Sequence, residues 1–283
     1  MGGVLYIVAT PIGNLEDITL RGLRILKEAD LIAAEDTRHT KKLLTHYGID
    51  RPLTSYHEHN EKTKAHALVA RLEQGENIAL VSDAGTPTIS DPGYRLVTEA
   101  IKAGISIVPI PGPSALTAVL SASGLPTDRF VFESFLPAKK GERRERLHKL
   151  REETRTLIFY EAPHRLLESL GDLLEIFGDR EMVLGREISK IYEEFIRGRL
   201  SEVIAQVEHK EPRGEVTLAV RGLGKEAVAV SGEDAIKTEI KRLQRKGLRV
   251  KEIAELLGEK FSYSKREVYR LALESRVKKE PIS

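Results

Sequence analysis

The stretch IALVSDAGTPTISDPG, residues 78–93, decides the fold of this chain. An apolar run opens it, and a loop dense in Gly, Pro, Asp, Ser and Thr follows. A short apolar run ended by turn-forming residues is typical of a buried strand. In α/β sheets, ligands bind at the loops that follow the carboxyl ends of strands. The stretch therefore predicts a binding loop carried by a buried strand.

Two further segments share this design, LYIVATPIGNL at residues 5–15 and SIVPIPGPSA at residues 106–115. Strands alternating with helical patterns over the first half indicate βαβ units and a mostly parallel sheet. The predicted strands are 5–10, 31–36, 52–56, 78–83 and 106–110, and the predicted helices are 19–28, 37–47, 61–74 and 93–103. Together the three loops predict one site built from several strand ends.

The second half begins after Gly112 and contains strands too close together for crossover helices, which predicts a mixed or antiparallel sheet. We therefore expect two α/β domains, residues 1–112 and 113–224, with a ligand cleft between them. The predicted strands are 130–135, 156–160, 182–187, 194–197 and 216–220, and the predicted helices are 114–121, 142–153, 163–177 and 201–208.

Residues 231–278 are predicted to form a small helical domain that resembles a helix-turn-helix unit. Helices are expected at 235–245 and 250–259, then a turn at 260–263, and a third helix that starts at Ser264 in a capping box with Glu267. Its expected apolar core contains Ile240, Leu243, Ile253, Leu256, Leu257, Val268 and Leu271.

Charge is unevenly distributed along the 283 residues, although the formal net charge is only +2. Residues 231–283 carry a net charge of +5, and residues 138–155 hold 8 basic and 4 acidic side chains. Two basic patches indicate a polyanionic partner, although each alone could be a solvated helix. The residues predicted to contact phosphates are Lys139, Lys140, Arg143, Arg144, Lys265, Arg266 and Arg270.

Several classes of protein are excluded or disfavoured by composition. The chain has no cysteine, which excludes disulfides and cysteine metal sites. No apolar run has the length of a membrane helix and no signal-peptide pattern is present, so we expect a cytoplasmic protein. The absence of G-x-G-x-x-G and of a P-loop disfavours an enzyme that uses NAD or ATP. Asp83 and Asp91 in one loop suit a cationic ligand.

Six motifs in order resemble those of the tetrapyrrole-methylase superfamily: ATPIGNL (9–15), AAEDTR (33–38), LVSDAGTP (80–87), DPGY (91–94), PGPSA (111–115) and FYEAPHR (159–165). The similarity covers about the first 222 residues, and it is greatest to the ribosomal branch of the superfamily. This resemblance implies a homodimer that binds S-adenosylmethionine between two α/β domains. It also implies 2'-O-methylation of a cytidine in the 16S rRNA of the 30S subunit.

The cofactor residues implied by the same motifs are Pro11, Ile12, Gly85, Thr86, Ile89, Ser114, Ala115, Tyr160, Leu184 and Thr217. Many relatives carry Gly-Asp-Pro where this chain has Gly85-Thr86-Pro87. Thr86 is therefore expected to replace the aspartate contact with its hydroxyl or its backbone.

Catalytic candidates lie at the ends of the second and third predicted strands. Asp36 is the favoured acceptor of the hydroxyl proton and Arg38 is expected to orient the RNA, whereas the structural alternative is that Asp36 only caps a helix. His57 and His59 lie on one face of a strand. His59 is the alternative base, but both could be structural. No third ligand motif supports a metal site, and no metal is required.

Three rival functions remain open. A precorrin or diphthine methylase would share the fold and the cofactor, but a small acceptor needs neither basic segment. A second rival is a helix-turn-helix regulator with an α/β ligand sensor. The clusters Glu35–Arg38 and His57–Asn60 argue only weakly against it: they suggest catalysis, whereas a sensor would need only the pocket. The third is the nucleotide-binding enzyme that the missing glycine fingerprints disfavour.

Overall fold

The structure is a computed structural model that describes residues 2–208, 214–224, 236–246, 248–261 and 264–275. Residues 1–221 form one compact unit and residues 222–283 form a second. The domain boundary predicted near Gly112 lies inside the first unit and stays a prediction. In the described part of the chain, no helix is long and apolar enough to cross a membrane.

The first sheet is fully parallel, with the strand order β3-β2-β4-β1-β5. Its strands are β1 (Val4–Val8), β2 (Leu31–Ala34), β3 (Leu53–Ser55), β4 (Ile78–Val81) and β5 (Ser106–Ile110). Every residue of β2 and β4 is buried, as expected for central strands that are covered on both faces. The carboxyl ends of the adjacent strands β1 and β4 therefore present their loops side by side.

Four helices cover this sheet, two on each face. They are α1 (Leu20–Glu28), α2 (Thr37–His46), α3 (Glu61–Glu73) and α4 (Tyr94–Lys102). On one face, Leu26 of α1 and Leu44 of α2 pack against the sheet. On the other face, Leu68 of α3 and Leu96 of α4 do so. The fold predicted for this half, alternating strands and helices around a parallel sheet, is confirmed.

The second sheet is mixed, with the order β6-β7-β10-β8-β9. Its strands are β6 (Phe130–Phe135), β7 (Thr156–Glu161), β8 (Glu181–Arg186), β9 (Glu194–Arg199) and β10 (Val216–Val220). Only the β6–β7 pairing is parallel among these described strands. All ten strands lie where the sequence predicts them, with ends that differ by at most two residues.

The helices of this half divide between the two faces of the second sheet. They are α5 (Ala115–Ser123), α6 (Lys140–Leu150), α7 (Leu166–Phe177) and α8 (Leu200–Glu208). Val119 of α5 packs with Val183 and Ala219 on one face. Leu147 of α6, Leu170 of α7 and Val203 of α8 pack on the other face.

The second unit contains α9 (236–245), α10 (Val250–Phe261) and α11 (Lys265–Glu274). The capping box is present, because Ser264 Oγ accepts from the Glu267 amide and Glu267 accepts from the Ser264 amide. Two expectations are wrong. Leu256 is 55% exposed, because Ile253 and Leu257 supply the buried face of α10, and the helix continues through Phe261, into the predicted turn. Predicted positions 231–235, 262–263 and 276–278 lie outside the described residues.

Candidate functional site

The loops after β1 and β4 are joined by a short antiparallel bridge. The Thr10 amide donates to the Gly85 carbonyl at 2.8 Å, and the Gly85 amide donates to the Thr10 carbonyl at 3.0 Å. The buried Thr10 hydroxyl also donates to the Ser82 carbonyl at 3.0 Å. Gly85 adopts φ of +83°, which other residues reach only with strain. Glycine is therefore required where the two loops meet.

The loop between β4 and α4 holds an unusual backbone. Thr88 and Ser90 have φ of +76° and +66°, values that cost energy for residues other than glycine. The Ser90 hydroxyl lies 2.7 Å from the Ser134 hydroxyl, which belongs to β6 of the second sheet. Backbone strain of this kind is concentrated at ligand-binding and catalytic sites.

A cavity of about 390 Å³ lies between this loop and the second sheet. Its volume is within the range of small-molecule sites. Eight of the ten predicted cofactor residues line it: Ile12, Gly85, Thr86, Ile89, Ser114, Ala115, Tyr160 and Thr217. Residues from three separate loops of the first half and from two strands of the second are thus brought to one site.

Pro11 and Leu184 do not line this cavity. Leu184 is buried in the core between the second sheet and α6, α7 and α8, with Leu218 as its partner on β10. Val183, its neighbour on β8, points to the opposite face, where α5 and Ile12 lie. Because side chains alternate along a strand, Leu184 faces away from the cavity. The Leu184 side chain is therefore not placed to contact a ligand in the cavity, and a contact through its backbone stays a prediction.

The amino end of α5 forms one wall of the cavity. Ser114 is the N-cap of α5 but makes no capping hydrogen bond, so its hydroxyl is not used to cap the helix. The Thr86 hydroxyl donates to the Pro113 carbonyl at 3.5 Å, which joins this wall to the β4 loop. The ring of Tyr160 packs edge-on against Phe132 and Phe135. Burial raises the pKa of Tyr160, so its hydroxyl stays protonated at neutral pH.

Five acidic residues line the cavity: Glu35, Asp83 and Asp91 belong to the first half, and Glu161 and Glu215 belong to the second. Burial, and then the charges of Asp91 and Asp83, raise the pKa of Glu35 to about 6. Burial and the charge of Asp83 raise the pKa of Asp91 to about 6. A hydrogen bond with Ser82 lowers this pKa, but by less than burial raises it. Like charges held together in a half-buried cavity favour a cationic ligand, whose charge offsets their repulsion.

Glu35 lines the cavity, but the sequence did not single it out as a site residue within the cluster Glu35–Arg38. It is the first residue after β2, at the carboxyl edge of the sheet, and it stands inside the AAEDTR motif beside the favoured Asp36. The available signal was its position: the residue directly after a buried strand has its side chain at the sheet edge where ligands bind.

Asp36 has the geometry of a helix cap. Its carboxylate accepts from the Arg38 amide at 2.8 Å and from Arg38 Nε and Nη2 at 3.1 and 2.7 Å. These bonds hold the pKa of Asp36 well below its usual range. A carboxylate of such low basicity is a poor proton acceptor. Asp36 does not line the cavity, so the geometry favours the capping alternative over the catalytic one.

His57 and His59 also lie outside the residues that line the cavity. His57 Nε2 is 3.1 Å from Asn60 Nδ2, and the His57 amide donates to Asn60 Oδ1 at 3.0 Å. These bonds fix His57 in a turn, whereas His59 is exposed. Across the described ranges, no group of three or more His, Cys, Asp or Glu side chains is arranged to hold a metal ion.

The basic segment before β7 is only partly available to a partner. Arg143 is 1% exposed, and its Nε donates to Asp172 Oδ2 at 2.7 Å. Arg144 pairs with Asp172 and Glu175 of α7. The structure therefore corrects the prediction that Arg143 contacts phosphates, because position 143 faces the core with Leu147 and Leu150.

The other predicted phosphate contacts lie on the surface. Lys139 and Lys140 are exposed at the start of α6. Lys265, Arg266 and Arg270 are exposed on α11, and Arg270 forms an ion pair with Glu274 at 3.3 Å. Their contact with nucleic acid stays a prediction.

Sequence comparison places this geometry among known proteins. Residues 4–204 match the family model of the tetrapyrrole (corrin/porphyrin) methylases. The chain is 48% identical over 273 residues to the ribosomal RNA small subunit methyltransferase I of Synechocystis sp., covering 96% of this chain and 98% of that protein. It is 50% identical over 278 residues to the protein of the same name from Pseudomonas aeruginosa, covering 96% and 97%.

Solved structures share the fold at low sequence identity. The uroporphyrin-III-C-methyltransferase of Thermus thermophilus matches with a TM-score of 0.53 and 22% identity, over 82% of this chain and 98% of that chain. Diphthine synthase matches with a TM-score of 0.58 and 16% identity, over 77% and 90%. These matches confirm the fold.

Proposed function

The chain belongs to the tetrapyrrole methylase family, and from that premise we propose that it methylates a cytidine 2'-hydroxyl in 16S rRNA with S-adenosylmethionine as the methyl donor. The observation that carries the proposal is its identity of about half, over nearly the full length, to methyltransferases named for small-subunit ribosomal RNA. The ribose hydroxyl and the cytidine rest on the motif resemblance. We further propose a cytoplasmic homodimer.

The cavity has the chemistry that S-adenosylmethionine needs. Ile12, Ala115 and Thr217 would flank the adenine, and the backbone at Gly85 can approach the ligand closely because no side chain intervenes. The amino end of α5 at Ser114 would hold the carboxylate of the methionine part, because helix amino ends attract anions. The carboxylates of Asp83 and Asp91 would face its positive charges.

The chemistry supplied by the bound cofactor is an activated methyl group on a sulfonium. Held by the residues named above, the cofactor would supply this methyl group to the ribose oxygen, and a base of the protein would accept the hydroxyl proton. The main task of the protein is to align the oxygen with the methyl group in a closed site. A carboxylate that accepts the proton adds a factor of roughly 10²–10⁴.

We assign proton acceptance to Glu35. Its carboxyl group lines the cavity, whereas that of Asp36 is held by Arg38. A pKa of about 6 leaves Glu35 ionised at neutral pH and a better base than a carboxylate of ordinary pKa. Asp36 and His59 remain the competing candidates from the sequence, and the variants described in the Discussion separate the three.

Transfer of labelled methyl from S-adenosylmethionine tests the proposed function. The acceptors are 30S subunits and free 16S rRNA, and nuclease digestion followed by mass spectrometry locates the label. We expect one cytidine with a methylated sugar. Label on the base would refute the 2'-O assignment, and no transfer to either acceptor would refute the rRNA substrate. Sedimentation at several protein concentrations tests the dimer.

A further inference from the structure

One exposed face of α2 forms an open, basic depression. Its volume is about 440 Å³, and the lining residues are Arg38, Lys41, Lys42, Thr45 and His46. Apolar residues Leu43 and Leu44 occupy the buried face of the same helix. This depression, the α2 groove, shares no lining residue with the cavity, although Arg38 also contacts the cap residue Asp36.

The spacing of these residues makes them one continuous surface. Positions 38, 41, 42, 45 and 46 follow the i, i+3, i+4, i+7, i+8 pattern of a single helix face. At 1.5 Å per residue, Arg38 and His46 are about 12 Å apart along the axis. The helix sequence TRHTKKLLTH contains no acidic residue. An extended row of cations suits a chain of phosphates better than a single small anion.

The two lysines of the α2 groove are only weakly neutralised, whereas Arg38 is hydrogen-bonded to Asp36. Lys41 Nζ is 3.3 Å from a carboxylate oxygen of Asp50, a side chain that is 98% exposed, so this ion pair is screened by water. Arg38 pairs with Asp36 but remains 89% exposed. Among the described residues, Lys42 has no ion-pair partner. Phosphates could therefore approach without breaking a buried interaction.

The start of α2 is anchored to a loop that lines the cavity. Glu35, which lines the cavity, is separated from Arg38 only by the cap residue and Thr37. The Asp36 amide donates to Asp83 Oδ1 at 2.9 Å, which fixes the start of α2 to the β4 loop. The amino-terminal end of the groove therefore follows closely in the chain after a residue that lines the cavity, and it is anchored to the β4 loop.

We infer that the α2 groove binds the ribose-phosphate backbone of the RNA beside the nucleotide that is methylated. This inference rests on the proposed function for the identity of the RNA. The groove fixes the strand along α2 while the cavity receives the target sugar. Lys139 and Lys140 would make separate contacts elsewhere on the surface.

The test is the double variant Lys41→Ala/Lys42→Ala in the full-length protein, with 16S rRNA as the probe. Loss of two phosphate contacts should reduce the slope of log K against log salt by about 1.4 and weaken binding by up to about 25-fold near 0.1 M salt. Calorimetry should show unchanged affinity for S-adenosylmethionine, and the melting temperature should stay constant because both side chains are exposed. Lys41→Arg/Lys42→Arg should retain the wild-type slope.

The matched control is Lys27→Ala/Lys102→Ala, which removes the same charge. These exposed lysines lie in the last turns of α1 and α4, outside both the cavity and the groove. An unchanged slope in the groove variant, or an equal change in the control, would overturn the inference. Binding is measured without methyl transfer, so the two proposals fail separately. If the wild type transfers methyl to RNA but the groove variant keeps the wild-type salt slope, only the groove inference is refuted. If RNA binding depends on the groove but no methyl is transferred, only the proposed function is refuted.

Discussion

Replacing Glu35 by Gln tests the assignment of the proton acceptor, because Gln has the same size but cannot take a proton. We expect the methyl-transfer rate at saturating substrates to fall by roughly 10²–10⁴ at pH 8. Affinity for S-adenosylmethionine should change little, since Asp83 and Asp91 still line the cavity. Single-turnover kinetics and calorimetry measure the two quantities separately.

The pH dependence gives an independent signature. With the pKa of Glu35 at about 6, kcat/KM of the wild type should fall about tenfold per pH unit below pH 6 and level off above it. This decrease of kcat/KM below pH 6 should be absent in Glu35→Gln. Asp36→Asn should preserve it, because Asn also caps helices well and the cavity is unchanged.

Glu35→Gln should be more stable than the wild type at neutral pH, although it is expected to be less active. The folded-state pKa of Glu35 is raised, so between pH 4.5 and about 6 the folded protein binds more protons than the unfolded chain. The contribution of Glu35 to the free energy of unfolding therefore decreases as pH rises from 4.5 to about 6. Above that range the full destabilisation by Glu35 is present. The change in pKa from 4.5 to about 6 corresponds to about 2 kcal/mol, which solvent screening at a half-exposed site reduces to about 1 kcal/mol.

Glu35→Gln should thus melt roughly 2–4 °C higher than the wild type at pH 8 and at nearly the same temperature at pH 4. The reasoning is refuted if Glu35→Gln turns over normally. Loss of turnover in Asp36→Asn or in His59→Ala, with Glu35→Gln active, would move the role to that residue. If none of the three matters, alignment alone drives the reaction and water takes the proton.

Three further predictions concern the rest of the molecule. Ala115→Trp should fill the cavity and abolish calorimetric binding of S-adenosylmethionine while the protein stays folded, and retained affinity would contradict the cofactor placement. Arg143→Ala should lower the free energy of unfolding in urea by about 3 kcal/mol, because buried Asp172 loses Arg143 and keeps only Arg144 as a partner. Lys139→Ala/Lys140→Ala should leave stability unchanged and lower the salt slope of RNA binding. A protein ending at Arg221 should bind S-adenosylmethionine normally, since every residue lining the cavity precedes that point, but should methylate RNA poorly; full activity would assign the tail another role.

The sequence predicted the sheets and most of the cavity because both depend on local patterns. Apolar runs located the strands, and parallel strands necessarily bring their carboxyl-end loops to one edge. Leu184 could not be assigned in this way, because its facing depends on the register of β8 against β10. The burial of Arg143 depends on Asp172, which lies 29 residues away on another helix. Glu35 and Asp36 are adjacent, and only their three-dimensional charge environments distinguish them.

The bridge between Thr10 and Gly85 has a consequence for how the cavity opens. Each amide of the pair is hydrogen-bonded to the other loop, so neither loop can separate without exposing both N–H groups to solvent exchange. Deuterium uptake at these two amides should therefore be slow and matched, and it would report directly on breathing of the cavity floor. Ser90 and Ser134 are joined instead by a contact between their hydroxyls, which involves no backbone amide and would not be detected by amide exchange.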